Sequence, residues 1–402
     1  MIEVLQGGGV TSAKGFVAGG TYAGVKTAGE GNLDLGILLS EKVATIAATF
    51  TTNRVVSPSV SLSRDRVRKG TGRAVVANSG CANCGVGEQG LLDAREMADL
   101  AARHIDVDSE DVFVASTGLI GVELPMALIR QNIGNVRLSE RGGTEFAKSI
   151  MTSDTRPKEV AVSLEIDGHR LTVGGAAKGV GMIHPNMATM LCFISTDAAV
   201  EGQFLSTALK SVVDSSFNMI DVDGDQSTND TVLAMANGAA GNPEIRDGTP
   251  GADAFKEALG YVATVLAKEL VRDGEGAERL IEVVVDGACD SDQARRASRE
   301  IASSLLVKAM IHGRDPNWGR VMMALGKSGI DFEESLVDIF INEIHIVHEG
   351  KALAYLRDSV VSAMSVPEIQ IRVNVNAGDS TAIAWGCDLT EEYVTFNSAY
   401  ST

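Results

Sequence analysis

Aromatic side chains make up only 4% of this 402-residue chain, so its core has to be assembled from Ala, Val, Leu, Ile and Met. Proline is scarce too, at 8 residues against 43 glycines. That balance excludes a proline-rich or disordered chain and suits an ordered, turn-rich α/β protein. Basic charge is short: 35 Lys and Arg face 53 Asp and Glu, for a formal net charge of −18. A chain this acidic repels phosphate backbones and anionic lipid, which argues against nucleic acid and membrane surfaces as partners. Apolar runs stay well below the roughly 18 residues a membrane-crossing helix needs. The stretch Met1-Ile-Glu-Val-Leu-Gln-Gly lacks the basic and apolar regions of a signal peptide, so a cytoplasmic location is expected. Five scattered cysteines, Cys81, Cys84, Cys192, Cys289 and Cys387, point to reduced thiols rather than a disulfide framework.

What is present is organised around Lys178 to Phe193. The first half, with Gly179, Gly181 and His184-Pro185-Asn186, is loop-forming; Met190 to Ile194 is an apolar run that reads as a buried strand. Upstream, strands are expected at Leu33–Leu39, Val43–Thr49, Arg73–Asn78 and Asp111–Ala115, the last stopping at a small-residue turn, Ser116-Thr117-Gly118. Asp167-Gly168 signals a hairpin between Val160–Ile166 and His169–Val173. Leu91 to His104 carries one apolar helical stripe, with Asp93 outside it. Gly202 to Ser216 reads as a further helix, and Ala254 to Val271, apolar at 255, 259, 262, 266 and 270, as another capped by Asp253. Leu280 to Val285 is a strand, Asp290 and Gln293 form a capping box, and Gln370–Val375 pairs with Ala382–Trp385. A last helix begins near Thr390. The mixture predicts an α/β (α+β) fold with layered mixed sheets between helices. The division into a main unit, 1–280, and a smaller C-terminal α/β unit, 281–402, is placed near 280.

Several site readings fail on their own chemistry. Gly85-Val-Gly-Glu-Gln-Gly90 has the spacing of a dinucleotide loop, but its strand ends too early and no acidic residue follows at the right distance; it reads as a backbone-packing loop. Cys81 and Cys84 lack a second ligand pair for zinc, and no His-x3-His exists. Asp221-x-Asp-x-Asp opens like a calcium loop, yet position six is Gln226 and position twelve Val232. The six histidines are isolated, with no Ser-His-Asp ordering. No metal or cofactor is expected.

Thr189 can be read in two ways. It is a β-former at the start of a strand, or it is a nucleophile that cuts the chain before itself. The small Ala188 leaves the preceding carbonyl open to attack, and the glycine-rich loop upstream can hold a strained turn. Cleavage there exposes an α-amine, whose pKa near about 8 suits it as base for its own hydroxyl.

Many ordered stretches together resemble the ornithine acetyltransferase family, the glutamate N-acetyltransferases of arginine biosynthesis. They include Phe50-Thr-Thr-Asn-Arg54, Asn78-Ser-Gly80, Ser116-Thr-Gly118, Thr155-Arg-Pro-Lys158 and the whole of Lys178 to Leu191. Asp223-Gly-Asp, Ser227-Thr-Asn-Asp230, Val271-Arg-Asp-Gly-Glu-Gly276 and Asn317-Trp-Gly-Arg320 continue the match. The resemblance implies a fold similar to the N-terminal-nucleophile hydrolases with distinct connectivity. It implies a precursor cut between Ala188 and Thr189, and chains 1–188 and 189–402 assembled as α2β2. It also implies transfer of the acetyl group of N2-acetylornithine to glutamate through an ester on Thr189. Thr117 and Gly118 match the pair that stabilises the oxyanion. Thr155, Lys178, Thr189, Glu275, Asn397 and Thr402 match substrate-binding positions; by charge, Lys178 suits a substrate carboxylate and Glu275 an amine. Cys81, Cys84 and Val86 depart from the family's more usual Asn, Ala and Thr. Whether acetyl-CoA is a second donor stays open, and a related self-processing aminopeptidase or amidohydrolase is the alternative.

Overall fold

The structure is a computed structural model and describes residues 2–26, 31–184 and 190–399. Its strands form two mixed sheets. The first, nine-stranded, contains β1 (Glu3–Val4), β2 (Phe16–Thr21), β3 (Leu35–Phe50), β4 (Thr71–Cys81), β5 (Val112–Leu119), β6 (Lys158–Ile166), β7 (His169–Lys178) and β8 (Leu191–Thr196). Its ninth strand, β10 (Thr231–Ala236), follows β9 (Ile220–Asp221), which belongs to the other sheet. The order is β1-β6-β7-β8-β10-β3-β4-β5, with β2 on β3. Pairing is antiparallel except between β8 and β10 and between β4 and β5.

The second sheet has seven strands, completed by β11 (Leu280–Ala288), β12 (Asp338–Ile341), β13 (Ile344–His348), β14 (Lys351–Ala352), β15 (Glu368–Asn374) and β16 (Ser380–Cys387), in the order β14-β13-β12-β15-β11-β16-β9. The division expected at 280 falls at the first residue of β11, while β9, from before it, closes one edge of this sheet. Layered mixed sheets with helices packed on them are the architecture that the sequence predicts.

Burial explains the central strands. Every residue of β8 and β10 is buried, which is why they read as unbroken apolar runs rather than alternating ones. The helix Ala252–Arg272 buries Phe255, Leu259, Val262, Leu266 and Leu270, the stripe its spacing predicts. It lies against β6 and β7 so closely that a Cβ on Gly175 would stand 2.9 Å from Leu266 Cδ1. The hairpin between β6 and β7 turns at Asp167 and Gly168, both at positive φ. Asp290 caps the helix Ser291–Ser303, accepting from Gln293 N at 2.8 Å.

Other expectations change. Leu33–Leu39 and Val43–Thr49 are one strand, β3; a register shift against β4 between Leu39 and Ala44 lets Glu41, Lys42 and Val43 project into solvent without breaking the extended backbone. β5 does not stop at Ala115, because the parallel ladder to β4 carries Ser116, Thr117 and Gly118 along. The helix Ala252–Arg272 is capped by Gly251, and Asp253 sits in its first turn, where a carboxylate meets the positive end of the helix dipole. Asp93 is buried and accepts from Gln89 Nε2 at 2.7 Å. β15 and β16 do not pair with each other. Both flank β11, and the turn between them wraps the end of that strand, with Ala377 N and Gly378 N on the Gly287 carbonyl at 2.7 Å. Cys81, Cys84, Cys192 and Cys387 are buried free thiols and Cys289 is an exposed one. Among the described residues no helix is long and apolar enough to cross a membrane.

Candidate active site

The site forms where the ends of β4, β5 and β7 meet the loop before β10. At Gly80 the β4–β5 ladder shifts register, Cys81 standing opposite both Thr117 and Leu119. Such a bulge re-aims the side chains beside it. Gly118 has φ +129°, and a Cβ there would lie 2.3 Å from the Gly80 carbonyl carbon. Only glycine fits that crossing of two backbones. Ser116 is fixed from behind: its carbonyl accepts from Asn229 Nδ2 at 2.8 Å and its hydroxyl meets Ser59 Oγ at 2.8 Å. Thr117 is thereby delivered, nearly buried, to one wall of a small cavity of about 90 Å3.

Lys178, the last residue of β7, is 2% exposed and donates from Nζ to Thr117 Oγ1 at 3.0 Å. Burial pushes its ammonium pKa down, an effect that Asp154 opposes and Lys158 reinforces. Asp154 is the hub of a buried charge network. Its Oδ1 accepts from Lys158 Nζ at 2.7 Å and from Gly179 N at 2.9 Å. Lys158 Nζ also reaches Asp273 Oδ2 at 2.7 Å. Burial alone would raise the Asp154 carboxyl, but Lys158, Lys178 and the Gly179 amide hold it below the usual carboxylate range. Buried charges persist only with such partners.

Glu275 faces the same cavity. Its carboxylate accepts from Ser153 Oγ at 2.7 Å and from Asn397 Nδ2 at 2.9 Å, which leaves lone pairs for a ligand donor. Its Oε2 lies 2.5 Å from where a Cβ on Gly181 would be, so the missing side chain makes room for the acid. Ser227, Thr228 and Asn229, between β9 and β10, line it as well.

Of the residues singled out by sequence, Thr117, Gly118, Lys178, Glu275 and Asn397 line this one cavity. Thr155 does not. Its amide donates to Asp273 Oδ2 at 3.0 Å and its hydroxyl donates to Asp273 Oδ1. Thr155 lines an adjoining cavity of about 710 Å3 that shares Gly118 and Thr152 with the first. Ala188, Thr189 and Thr402 lie outside the described residues. On either side of 185–189 the chain is held by acids. Asp223 accepts from Met182 N at 2.6 Å and Ile183 N at 2.9 Å, Asp221 meets His184 Nδ1 at 2.9 Å, and Asp230 accepts from Met190 N at 2.9 Å. Burial drives the Asp230 carboxyl well above the usual range. Sequence reasoning missed the roles of Asp154, Lys158 and Asp273. Asp154 and Lys158 stand four apart outside any helix, and the one available signal was the place of Lys158 and Asp273 inside stretches quoted for the resemblance, with Asp154 one residue before the first of them.

A hydroxyl beside a glycine amide and a buried cation, on strand ends of a layered α/β fold, with a carboxylate from the loop before β11, define a protein with a polar small-ligand site suited to meeting charge that develops on an oxygen. The chain belongs to the ArgJ family, whose model matches residues 17–402. A relative from Dehalococcoides mccartyi, "Arginine biosynthesis bifunctional protein ArgJ", is 47% identical over 401 residues, covering 100% of this chain and 99% of the relative. "Glutamate N-acetyltransferase" of Methanocaldococcus jannaschii is 44% identical over 409 residues, covering 98% of this chain and 99% of its own. Among solved structures, an arginine biosynthesis bifunctional protein argJ from Bacillus halodurans is 39% identical, covers 52% of this chain and 98% of that one, and superposes with a TM-score of 0.51.

Proposed function

We propose that the chain is a self-processing acetyltransferase of arginine biosynthesis, carrying the acetyl group of N2-acetylornithine to glutamate through an ester on Thr189. The observation that carries this reading is the convergence of Thr117, Gly118, Lys178, Glu275 and Asn397 on one cavity, although they are far apart in the chain. Met182, which precedes the segment 185–189, lines that cavity too.

In the first step Thr189 Oγ attacks the Ala188 carbonyl carbon, the peptide bond breaks, and its nitrogen leaves as the Thr189 amine. Water then hydrolyses the ester, giving chains 1–188 and 189–402, which assemble as α2β2. The freed amine takes the proton of the Thr189 hydroxyl as that oxygen attacks the acetyl carbonyl of acetylornithine. Negative charge builds on the carbonyl oxygen. Lys178 Nζ donates to Thr117 Oγ1, so the Thr117 hydroxyl hydrogen is turned elsewhere and, with the Gly118 amide, meets that oxyanion. The C–N bond breaks, ornithine leaves with the proton, and acetyl-Thr189 remains. The amine of glutamate attacks the ester and departs as N-acetylglutamate, returning the hydroxyl. Glu275 suits the ammonium end of the ornithine chain and Lys178 a carboxylate, with Asn397 and Thr402 completing the pocket and Thr155 standing in the adjoining cavity. Acetyl-CoA enters as a second donor through the word "bifunctional" in the relatives' names, and the soluble, cytoplasmic setting of such a pathway is part of the same reading.

The test is an assay of purified protein for N-acetylglutamate formation with acetylornithine and acetyl-CoA supplied separately, beside denaturing electrophoresis. Active wild type should run as two polypeptides, and Thr189→Ala as one inactive chain. A single full-length band from active protein would refute the self-cleavage, and peptide hydrolysis without acetyl transfer would favour an aminopeptidase.

A further inference from the structure

We propose that Asp338, His345 and His348 form a transition-metal site, of the class that takes Zn2+, on the outward face of the second sheet. This site is remote in sequence from the residues above, and it is invisible to spacing arguments. On a regular strand, residues three apart point to opposite faces, so His345-x-x-His348 on a strand is not a ligand pair. The structure breaks that rule at one place. β12 and β13 pair Phe340 with His345 but Ile339 with Val347, so Ile346 is an extra residue and the ladder bulges there. Ile346 and Val347 are both buried as a result, and the histidines flanking them both turn outward. Asp338, at the start of β12, points to the same face.

The three ligand atoms converge. His348 Nδ1 lies 2.8 Å and His345 Nε2 3.5 Å from Asp338 Oδ1, and one donor atom from each residue falls within 4.8 Å of the others. Nitrogen and oxygen ligands at about 2.0–2.2 Å from a tetrahedral zinc stand about 3.3–3.6 Å from one another, so small side-chain shifts admit an ion. His345 Nε2 is buried and finds no hydrogen-bond partner among the described residues. A lone pair so placed is what a metal consumes.

The surroundings hold the ligands in position, as an outer shell does in known metal sites. The His345 ring stacks on Phe340 at 4.2 Å between centroids. Asp338 accepts from Glu349 N at 3.0 Å and from Asn376 Nδ2 at 3.5 Å. The neighbouring cation, Arg372, is engaged by Asp286 at 2.6 Å. His348 is half-exposed, which leaves the fourth position to water. A second trio, Glu278, His312 and Asp388, is a poorer candidate, because Arg279 already bonds Asp388 Oδ2 at 3.3 Å.

The test uses the full-length protein, stripped with chelator and titrated with Zn2+ by calorimetry and with Co2+ by visible spectroscopy. Wild type should bind one Zn2+ per chain and develop the d–d absorption of tetrahedral Co2+. His345→Ala and Asp338→Asn should each weaken binding at least about tenfold and lose the Co2+ band, whereas His312→Ala should keep both. If His345→Ala fails to fold, His348→Gln reads the same site from the exposed side. Equal Zn2+ binding by wild type and these variants, or loss of binding in His312→Ala alone, would overturn the proposal.

Discussion

Replacing Lys158 with Met tests whether the charge network behind the site is a structural necessity. Lys158 and Asp154 have no exposed side-chain surface and Asp273 has 4%. Met fills a similar volume without the charge, so the change strips two buried carboxylates of the cation between them. Removing one partner of a buried pair costs about 3–5 kcal/mol, because the other charge stays desolvated. Urea unfolding of variant and wild type at pH 7.5 would read that loss. The pH dependence carries a second signature. In the wild type the Asp154 carboxyl is held low, so its stabilisation is complete above the unfolded pKa and fades only as pH falls through the folded one. Without Lys158 the orphaned carboxylates take protons more readily, and the penalty should shrink between pH 7.5 and pH 5. Asp154→Asn added to Lys158→Met should recover part of the loss, since the two sites share one network. A loss below about 1 kcal/mol, or a penalty independent of pH, would refute the reasoning.

Two further outcomes follow from the same geometry. Thr117→Val keeps the shape and deletes the hydroxyl bonded to Lys178 Nζ; kcat for acetyl transfer should fall about 10²–10³-fold, and a wild-type kcat would remove Thr117 from the oxyanion role. Asp223, which anchors Met182 and Ile183, has its carboxyl pushed by burial up to about 6. The folded state therefore binds its proton more tightly than the unfolded one. Its contribution is greatest below the unfolded value near about 4 and is lost as pH rises through about 6, by up to about 3 kcal/mol. Asp223→Asn should consequently gain stability relative to wild type between pH 4 and pH 7, and a difference in unfolding free energy constant over that window would count against the assignment.

Much of the local architecture was legible in the chain. The apolar spacing of 255, 259, 262, 266 and 270 and the Asp167-Gly168 turn each act within a few residues, so periodicity and backbone preference were enough. Strand partners were not legible in this way. Gln370–Val375 and Ala382–Trp385 looked like a hairpin because they are neighbours in sequence, yet β11, some eighty residues earlier in the chain, takes the place between them. Ser116-Thr117-Gly118 looked like a turn because its residues are small, and it became strand because β4 offered a parallel ladder.

The same boundary runs through the site. By itself the sequence determined its chemistry: the hydroxyl and glycine of Thr117-Gly118, the cation of Lys178, the carboxylate of Glu275, and a chain acidic and free of convincing dinucleotide or calcium loops. Only the tertiary structure decided what those groups face. Thr155 turns to Asp273, 118 residues away, rather than to the cavity, and Lys178 meets Thr117 across 61 residues. His345 and His348 share a face because one bulge undoes the alternation their spacing implies. Side-chain type is a property of the residue. Burial, desolvation and hydrogen-bond partners are properties of the packed neighbours, and those are chosen when distant strands close on one another.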